Sequence, residues 1–236
     1  MSNALVRPAI ALVAFGIAFQ SAAAAPLRVL FIGNSLTAAN DVPALVESIA
    51  KENGERILTR MIAYPNYSLK DHWNRGDARR AIAEGGWSFV VLQQGPSSLP
   101  ESRVLLVDYA QRFKEEARHV NARIAVYMVW PASSRMGDFD GVKLSYEAAA
   151  RETGGIFLPA GEAWRLAWRR DASLSFYGAD GFHPTPLGSY LAALVIYQGL
   201  TGKSPVRSAV LGLVSEAQAK ILQQAASQAL GLKGAR

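Results

Sequence analysis

The chain has 236 residues, of which 50% are apolar and 19% are charged. This balance excludes a disordered protein and is typical of one globular domain. The formal net charge is +6, but the basic residues are scattered, which argues against a tract that binds nucleic acid. There are no cysteines, so a disulfide framework and a thiol nucleophile are both excluded.

Residues 1–25 have the parts of an export signal. Arg7 precedes an apolar run over residues 9–19, and small residues fill positions 21–25. A membrane-spanning helix needs about 20 apolar residues, whereas a short apolar run followed by small residues suits signal-peptidase cleavage. We therefore expect a signal peptide over residues 1–25 and a mature domain over 26–236. That domain is expected to be secreted or periplasmic, without stable membrane insertion after cleavage; an uncleaved anchor is the alternative.

Short apolar runs along the mature chain predict strands. Residues 27–32 are almost continuously apolar, as expected of a strand buried on both faces. Four further runs are predicted to be strands, at residues 56–63, 88–93, 122–130 and 156–158.

Amphipathic stretches alternate with these runs and predict helices. One begins near Asp41, and others cover about 101–119, 142–152 and 215–230. Thr185 followed by Pro186 predicts the start of one more helix. Strands that alternate with helices indicate an α/β fold, here three-layered and doubly wound, with a flavodoxin-like sheet of five parallel strands in the order 2-1-3-4-5. In that order ligands bind beyond the carboxyl ends of strands 1 and 3.

A serine follows the first predicted strand. Ser35 lies two residues after Gly33, which would permit a sharp turn at the mouth of the sheet. Serine is a poor nucleophile until a base removes its proton, and the chain has three histidines from which to choose that base. We predict that Ser35 is a nucleophile.

The base is predicted at the far end of the chain. His183 belongs to the segment Asp180-Gly181-Phe182-His183, just before the predicted helix that Thr185 begins. An aspartate three residues before a histidine in a tight turn can bind Nδ1 and leave Nε2 to accept the serine proton. Either segment alone is weak evidence, but together, at loops of an α/β fold, they predict a catalytic relay.

These two segments resemble the SGNH, or GDSL-type, esterases and lipases. Gly33-Asn34-Ser35-Leu36 is similar to the first sequence block of that family, and Asp180-Gly181-Phe182-His183 closely resembles the last. The resemblance implies a flavodoxin-like sheet. It also implies an oxyanion hole with three donors: the N–H of the nucleophile, the N–H of a glycine after strand 2 and an asparagine side chain after strand 3.

The chain departs from the family pattern at each block that would form this hole. Asn34 replaces the usual aspartate before the serine, and Asn66 stands at the position expected for glycine. After strand 3, Gln93-Gln94-Gly95-Pro96-Ser97 is similar to a stretch of carbohydrate acetylesterases with this fold. We expect the donors to be the Ser35 N–H, the Asn66 N–H and the Gln94 amide, with Gln93 as the alternative to Gln94.

Trp130, at the end of strand 4, is the predicted substrate contact, and His72 is expected to be structural. Three separated histidines without cysteine offer no metal-ligand spacing, and no cofactor is expected.

The predicted activity is hydrolysis of a carboxylic ester through an acyl-enzyme. The resemblance after strand 3 and the export signal favour an acetyl ester on a carbohydrate or envelope glycan as the substrate. A lysophospholipase or short-chain lipase is one alternative, and a non-catalytic glycan-binding protein on the same fold is another. No nucleic-acid partner is expected, and the oligomeric state stays open.

Overall fold

The structure is a computed structural model that describes residues 25–205 and 215–232. The predicted signal peptide lies outside the described residues, apart from Ala25. Within these ranges no helix is both long and apolar enough to cross a membrane.

The described residues contain five strands in one parallel sheet, in the predicted order β2-β1-β3-β4-β5. The strands are β1 (Leu27–Gly33), β2 (Ile57–Ala63), β3 (Phe89–Leu92), β4 (Arg123–Met128) and β5 (Ile156–Pro159). The central strand β3 is buried at every position, because helices cover both faces of the sheet. The predicted fold class is confirmed.

The helices of the described residues form two layers. They are α1 (Ser35–Ala38), α2 (Val42–Glu52), α3 (Leu69–Arg75), α4 (Asp77–Ala83), α5 (Pro100–His119), α6 (Phe139–Thr153), α7 (Ala160–Trp168), α8 (Pro186–Thr201) and α9 (Glu216–Ala229). Helix α5 packs against α3, α4 and α6, whereas α8 packs against α2, α7 and α9. The helices α1, α3, α4 and α7 were not predicted from the sequence.

The strand register places the functional loops next to one another. Strand β1 pairs with both β2 and β3, so that Gly33 lies opposite Ala63 and Ile32 lies opposite Leu92. Because all strands are parallel, the loops after β1, β2 and β3 leave from the same edge of the sheet. Ser35, Asn66 and Gln94 are the predicted site residues on these three loops.

Candidate active site

The nucleophile turn is built by a helix cap. Ser35 is the first residue of α1, and the Asn34 side chain accepts a hydrogen bond of 3.0 Å from the Leu36 N–H. Gly33 has no positive φ, so it is not needed for a sharp turn. A Cβ at this position would instead collide with Thr37 and Gln93, and glycine is required because these side chains approach the backbone so closely.

Gln93 fixes this turn from the neighbouring strand. Its Oε1 accepts hydrogen bonds from the Asn34 N–H (2.8 Å) and the Thr37 hydroxyl (2.7 Å). Its Nε2 donates to Asn34 Oδ1 at 3.0 Å. Gln93 is fully buried, so its amide has no access to a bound ester. The Asn34 side chain also donates to the Tyr67 carbonyl (3.2 Å) and thereby ties the β2 loop to the nucleophile turn.

The loop that carries His183 is a tight turn closed by Asp180. Gly181 has a φ of +69°, a conformation that glycine adopts without strain. Asp180 Oδ1 accepts from the backbone N–H groups of Phe182 and His183, both at 3.0 Å. The other oxygen, Oδ2, lies 2.5 Å from His183 Nδ1. One carboxylate therefore fixes both the backbone of the loop and the orientation of the ring.

The fold brings Ser35 and His183 together across 148 positions of sequence, with Ser35 Oγ 2.9 Å from His183 Nε2. The hydrogen bonds from His183 and from the turn lower the pKa of Asp180 to about 2, so the carboxylate is ionised and acts as an acceptor. Nδ1 therefore carries the proton, and Nε2 is left to accept the proton of Ser35. This is the geometry that base-assisted serine attack requires.

The predicted oxyanion donors line the same cleft. Ser35, Asn66 and Gln94 are all on its wall. Asn66 has a φ of +62°, the left-handed conformation in which glycine is usual and asparagine is the best tolerated substitute. The residue in the expected glycine position thus keeps the backbone geometry of a glycine.

Gln94 is held in place by groups around its amide and its backbone. Its Nε2 donates to Ser97 Oγ at 2.8 Å, and its Oε1 accepts from the Leu69 N–H at 3.1 Å. Buried Tyr146 donates its hydroxyl to the Gln94 carbonyl at 2.7 Å. An amide nitrogen has two protons, so after the bond to Ser97 one proton is left for an oxyanion.

Trp130 does not line the cleft, so its predicted role in substrate contact is wrong. Its side chain is 0% exposed and stacks on Trp164 with ring centroids 3.5 Å apart. Its indole N–H donates to the Phe182 carbonyl at 3.1 Å. Trp130 supports the histidine loop from beneath, while the aromatic residues on the cleft wall are Tyr67 and Phe182.

His72 is structural, as expected. It is completely buried, and its Nε2 lies 2.7 Å from the Gly33 carbonyl, so Nε2 carries the proton. Burial lowers the pKa of His72, which keeps the ring neutral. Helix α3, which follows the Asn66 loop, is thereby anchored to the end of β1.

Asn40 links the segment after Ser35 to the segment after His183. Its side-chain amide donates to the Pro184 carbonyl at 3.0 Å and to Ser189 Oγ at 2.9 Å. Pro184 directly follows His183, and Asn40 follows the helix that Ser35 begins. Sequence reasoning missed this contact, since no local pattern links residues so far apart.

The cleft beside Ser35 has a volume of about 500 Å³ and a mixed lining. Besides Ser35, the serines on its wall are Ser68, Ser97, Ser98 and Ser102. Its apolar contacts include Leu99, Leu105 and Phe182, and its charged groups are Arg135 and Asp138.

Comparisons with known proteins relate the fold of this chain to solved structures. No protein-family model matches the sequence, and no curated protein matches it significantly. Among solved structures, a protein assigned to the SGNH hydrolases from Slackia heliotrinireducens is 27% identical, with a TM-score of 0.62 over 75% of this chain and 100% of that one. A DUF4886 family protein from Bacteroides uniformis is 18% identical, with a TM-score of 0.71 over 87% and 95%.

A third neighbour is a variant of an acetyl xylan esterase from Geobacillus stearothermophilus. It is 15% identical, with a TM-score of 0.59 over 79% of this chain and 99% of that one. The order of the strands, the flanking helices and these structural neighbours all indicate the same three-layer α/β fold. The chain has the fold of the SGNH hydrolases.

Proposed function

We propose that this chain is a serine hydrolase that cleaves a carboxylic ester through an acyl-enzyme. The observation that carries the proposal is the continuous line of contacts from Ser35 Oγ to His183 Nε2 and from His183 Nδ1 to Asp180. Ser35 Oγ attacks the ester carbonyl carbon while Nε2 takes its proton. The Ser35 N–H, the Asn66 N–H and the Gln94 amide then stabilise the oxyanion.

The second half of the reaction returns the enzyme to its starting state. His183 gives its proton to the leaving alcohol as the carbon–oxygen bond breaks, which leaves Ser35 acylated. Water, activated by Nε2, then attacks the acyl carbon and releases the carboxylic acid.

The substitution Ser35→Ala tests this mechanism. We expect it to abolish hydrolysis of p-nitrophenyl acetate and covalent labelling by a fluorophosphonate, with an unchanged melting temperature. The control is Ser48→Ala in α2, which does not line the cleft and should keep both activities. Turnover by Ser35→Ala at the wild-type rate would refute the mechanism. A wild-type protein that binds glycans but is not labelled would support the non-catalytic alternative.

The proposed substrate is an acetyl ester on a carbohydrate or envelope glycan. An acetyl xylan esterase is among the structural neighbours, and four serines besides Ser35 line the cleft. A lysophospholipase or short-chain lipase is the second candidate, because Leu99 and Leu105 line the same cleft while 50% and 41% exposed. Comparing p-nitrophenyl acetate with octanoate separates them: preference for the longer acyl chain would exclude the acetylesterase.

Export is proposed from the sequence of residues 1–25, which suits a polymeric envelope substrate. The test is the mass of the protein recovered from the periplasm or medium of a bacterial host. Loss of about 25 residues is expected, and an intact N-terminus there would contradict cleavage.

A further inference from the structure

The place of the leaving alcohol is set by the proton that it must receive. His183 Nε2 donates this proton, so the alcohol oxygen must lie beside the imidazole. The part of the cleft wall next to the histidine loop is the segment after β4. The Ser133 N–H of this segment donates to the Gly181 carbonyl at 2.8 Å, and Tyr177 binds the Pro131 carbonyl at 2.7 Å. Residues 131–138 therefore flank the alcohol side.

This segment brings three polar side chains into one group. Arg135 Nη2 lies 2.5 Å from Asp138 Oδ2, and the Ser98 hydroxyl donates to that same oxygen at 3.1 Å. All three residues line the cleft that contains Ser35. The side chains of Arg135 and Asp138 are 56% and 29% exposed, so a bound alcohol can reach them.

The group has hydrogen-bonding capacity left over. Within residues 25–205 and 215–232, Asp138 Oδ1 accepts no hydrogen bond from the protein. The Arg135 guanidinium contacts Asp138 through Nη2, and its other N–H groups remain available as donors. An acceptor beside several donors complements neighbouring hydroxyl groups, since each hydroxyl both donates and accepts. The charges of the pair balance, which favours a neutral polyol over an anionic alcohol.

We propose that Arg135, Asp138 and Ser98 form the subsite for the alcohol part of the ester, and that this alcohol is a neutral, polyhydroxylated group such as a sugar. The assignment rests on the proposed function, because it places the alcohol by the proton transfer from His183. It adds the side chains that select the leaving group, which neither the sequence motifs nor the neighbours specify.

Matched esters test the subsite. One is an acetylated sugar with the ester on a primary hydroxyl, taken from a panel of methyl hexopyranosides. The other is cyclohexylmethyl acetate, which has a similar ring and primary alcohol but no hydroxyls. We expect wild type to prefer at least one sugar ester by about tenfold or more in kcat/KM, because a site built to bind hydroxyls rejects a ligand that lacks them.

The isosteric variant Asp138→Asn and the uncharged variant Arg135→Gln should each lower this preference by about tenfold. Their effect on kcat/KM for cyclohexylmethyl acetate and p-nitrophenyl acetate should be much smaller, because these esters have no hydroxyl groups for the pair to bind. Arg118→Gln, which removes an exposed arginine at the far end of α5, is the control and should keep the preference.

The outcomes separate this subsite from the proposed function. No preference for any sugar ester in wild type, or a preference that survives both variants, would overturn the subsite while hydrolysis of p-nitrophenyl acetate still supported the mechanism. An equal loss on all three esters would mean that the pair is structural, and would also overturn it. Failure of wild type to hydrolyse any ester would instead refute the proposed function.

Discussion

At the scale of single residues, Gln93 and Gln94 differ in what their amides contact. The amide oxygen and the amide nitrogen of buried Gln93 both bind Asn34. Gln94 lies on the cleft wall, and its amide binds Ser97. Gln93 and Gln94 directly follow β3, and a difference of one position decides between supporting the nucleophile turn and facing the cleft.

Gln94→Ala should lower kcat for p-nitrophenyl acetate by about a hundredfold to a thousandfold, the usual effect of losing one oxyanion donor. KM should change little, because the donor acts on charge that develops in the transition state. Steady-state kinetics measure kcat and KM, and thermal unfolding checks that the variant is folded. A kcat within threefold of wild type would exclude the Gln94 amide as a donor.

Gln93→Met is the matched comparison at the adjacent position. It leaves the buried Asn34 N–H and the Thr37 hydroxyl without their acceptor, which should reduce the free energy of unfolding by about 2 kcal/mol or more. Urea denaturation measures the loss. We expect the effect of this substitution on stability to exceed that of Gln94→Ala, and the reverse order would contradict these assignments.

The sequence identified single residues where the required contacts are local. Asp180 and His183 are three positions apart, and their turn could be inferred from residue types. The role of Trp130 could not, because the end of a strand does not reveal whether a loop will cover it. Arg135 and Asp138 gave no motif, since their partner Ser98 lies on another loop.

At the scale of elements, α3 is attached to β1 through one buried histidine. His72 donates from Nε2 to the Gly33 carbonyl, and its Nδ1 has no hydrogen-bond partner among the described residues. Burial is the main cause of its lowered pKa, opposed by the Gly33 carbonyl and by Asp77 and Asp71. A protonated ring would place a second donor, without an acceptor, in this apolar position.

His72 should therefore make stability depend on pH. Its folded pKa lies below the ordinary value of 6.5, so below about pH 6.5 the unfolded chain binds a proton that the folded chain excludes. The free energy of unfolding should fall as the pH decreases from 7.5 to 5. His72→Gln retains an N–H donor and does not titrate, so its stability should fall less steeply. Urea denaturation at several pH values gives both slopes, and parallel curves would contradict this role.

Strands and helices could be predicted where a helix buries one face or where a strand is buried along its whole length. The five strands and the helix after Thr185 followed from such patterns. Helix α8 is buried around nearly its whole circumference, so its predicted apolar face describes only part of its packing. Helix α7 was missed although Ala160–Trp168 is amphipathic, because it follows β5 directly and no capping side chain marks its start.

At the scale of the whole molecule, the relay depends on holding the two ends of the chain together. Helix α2, which follows Ser35, packs against α8, which follows His183. The packing of these two helices brings the Ser35 and His183 segments near each other. Asn40 fixes their relative position more closely, because its amide contacts both the Pro184 carbonyl and the first turn of α8. Sequence order could predict which loops share an edge, but not this contact.

Asn40→Gly should therefore weaken catalysis without removing any group that touches the ester. Asn40 has a φ of +54°, which glycine adopts without strain, so the substitution removes the amide and keeps the backbone. Looser positioning of His183 against Ser35 should lower kcat and the rate of fluorophosphonate labelling together, by about tenfold. Asn121→Gly is the control, because Asn121 has a φ of +57° in the exposed turn between α5 and β4. Equal kcat values for the two variants would show that the packing of α2 against α8 is sufficient to align the relay.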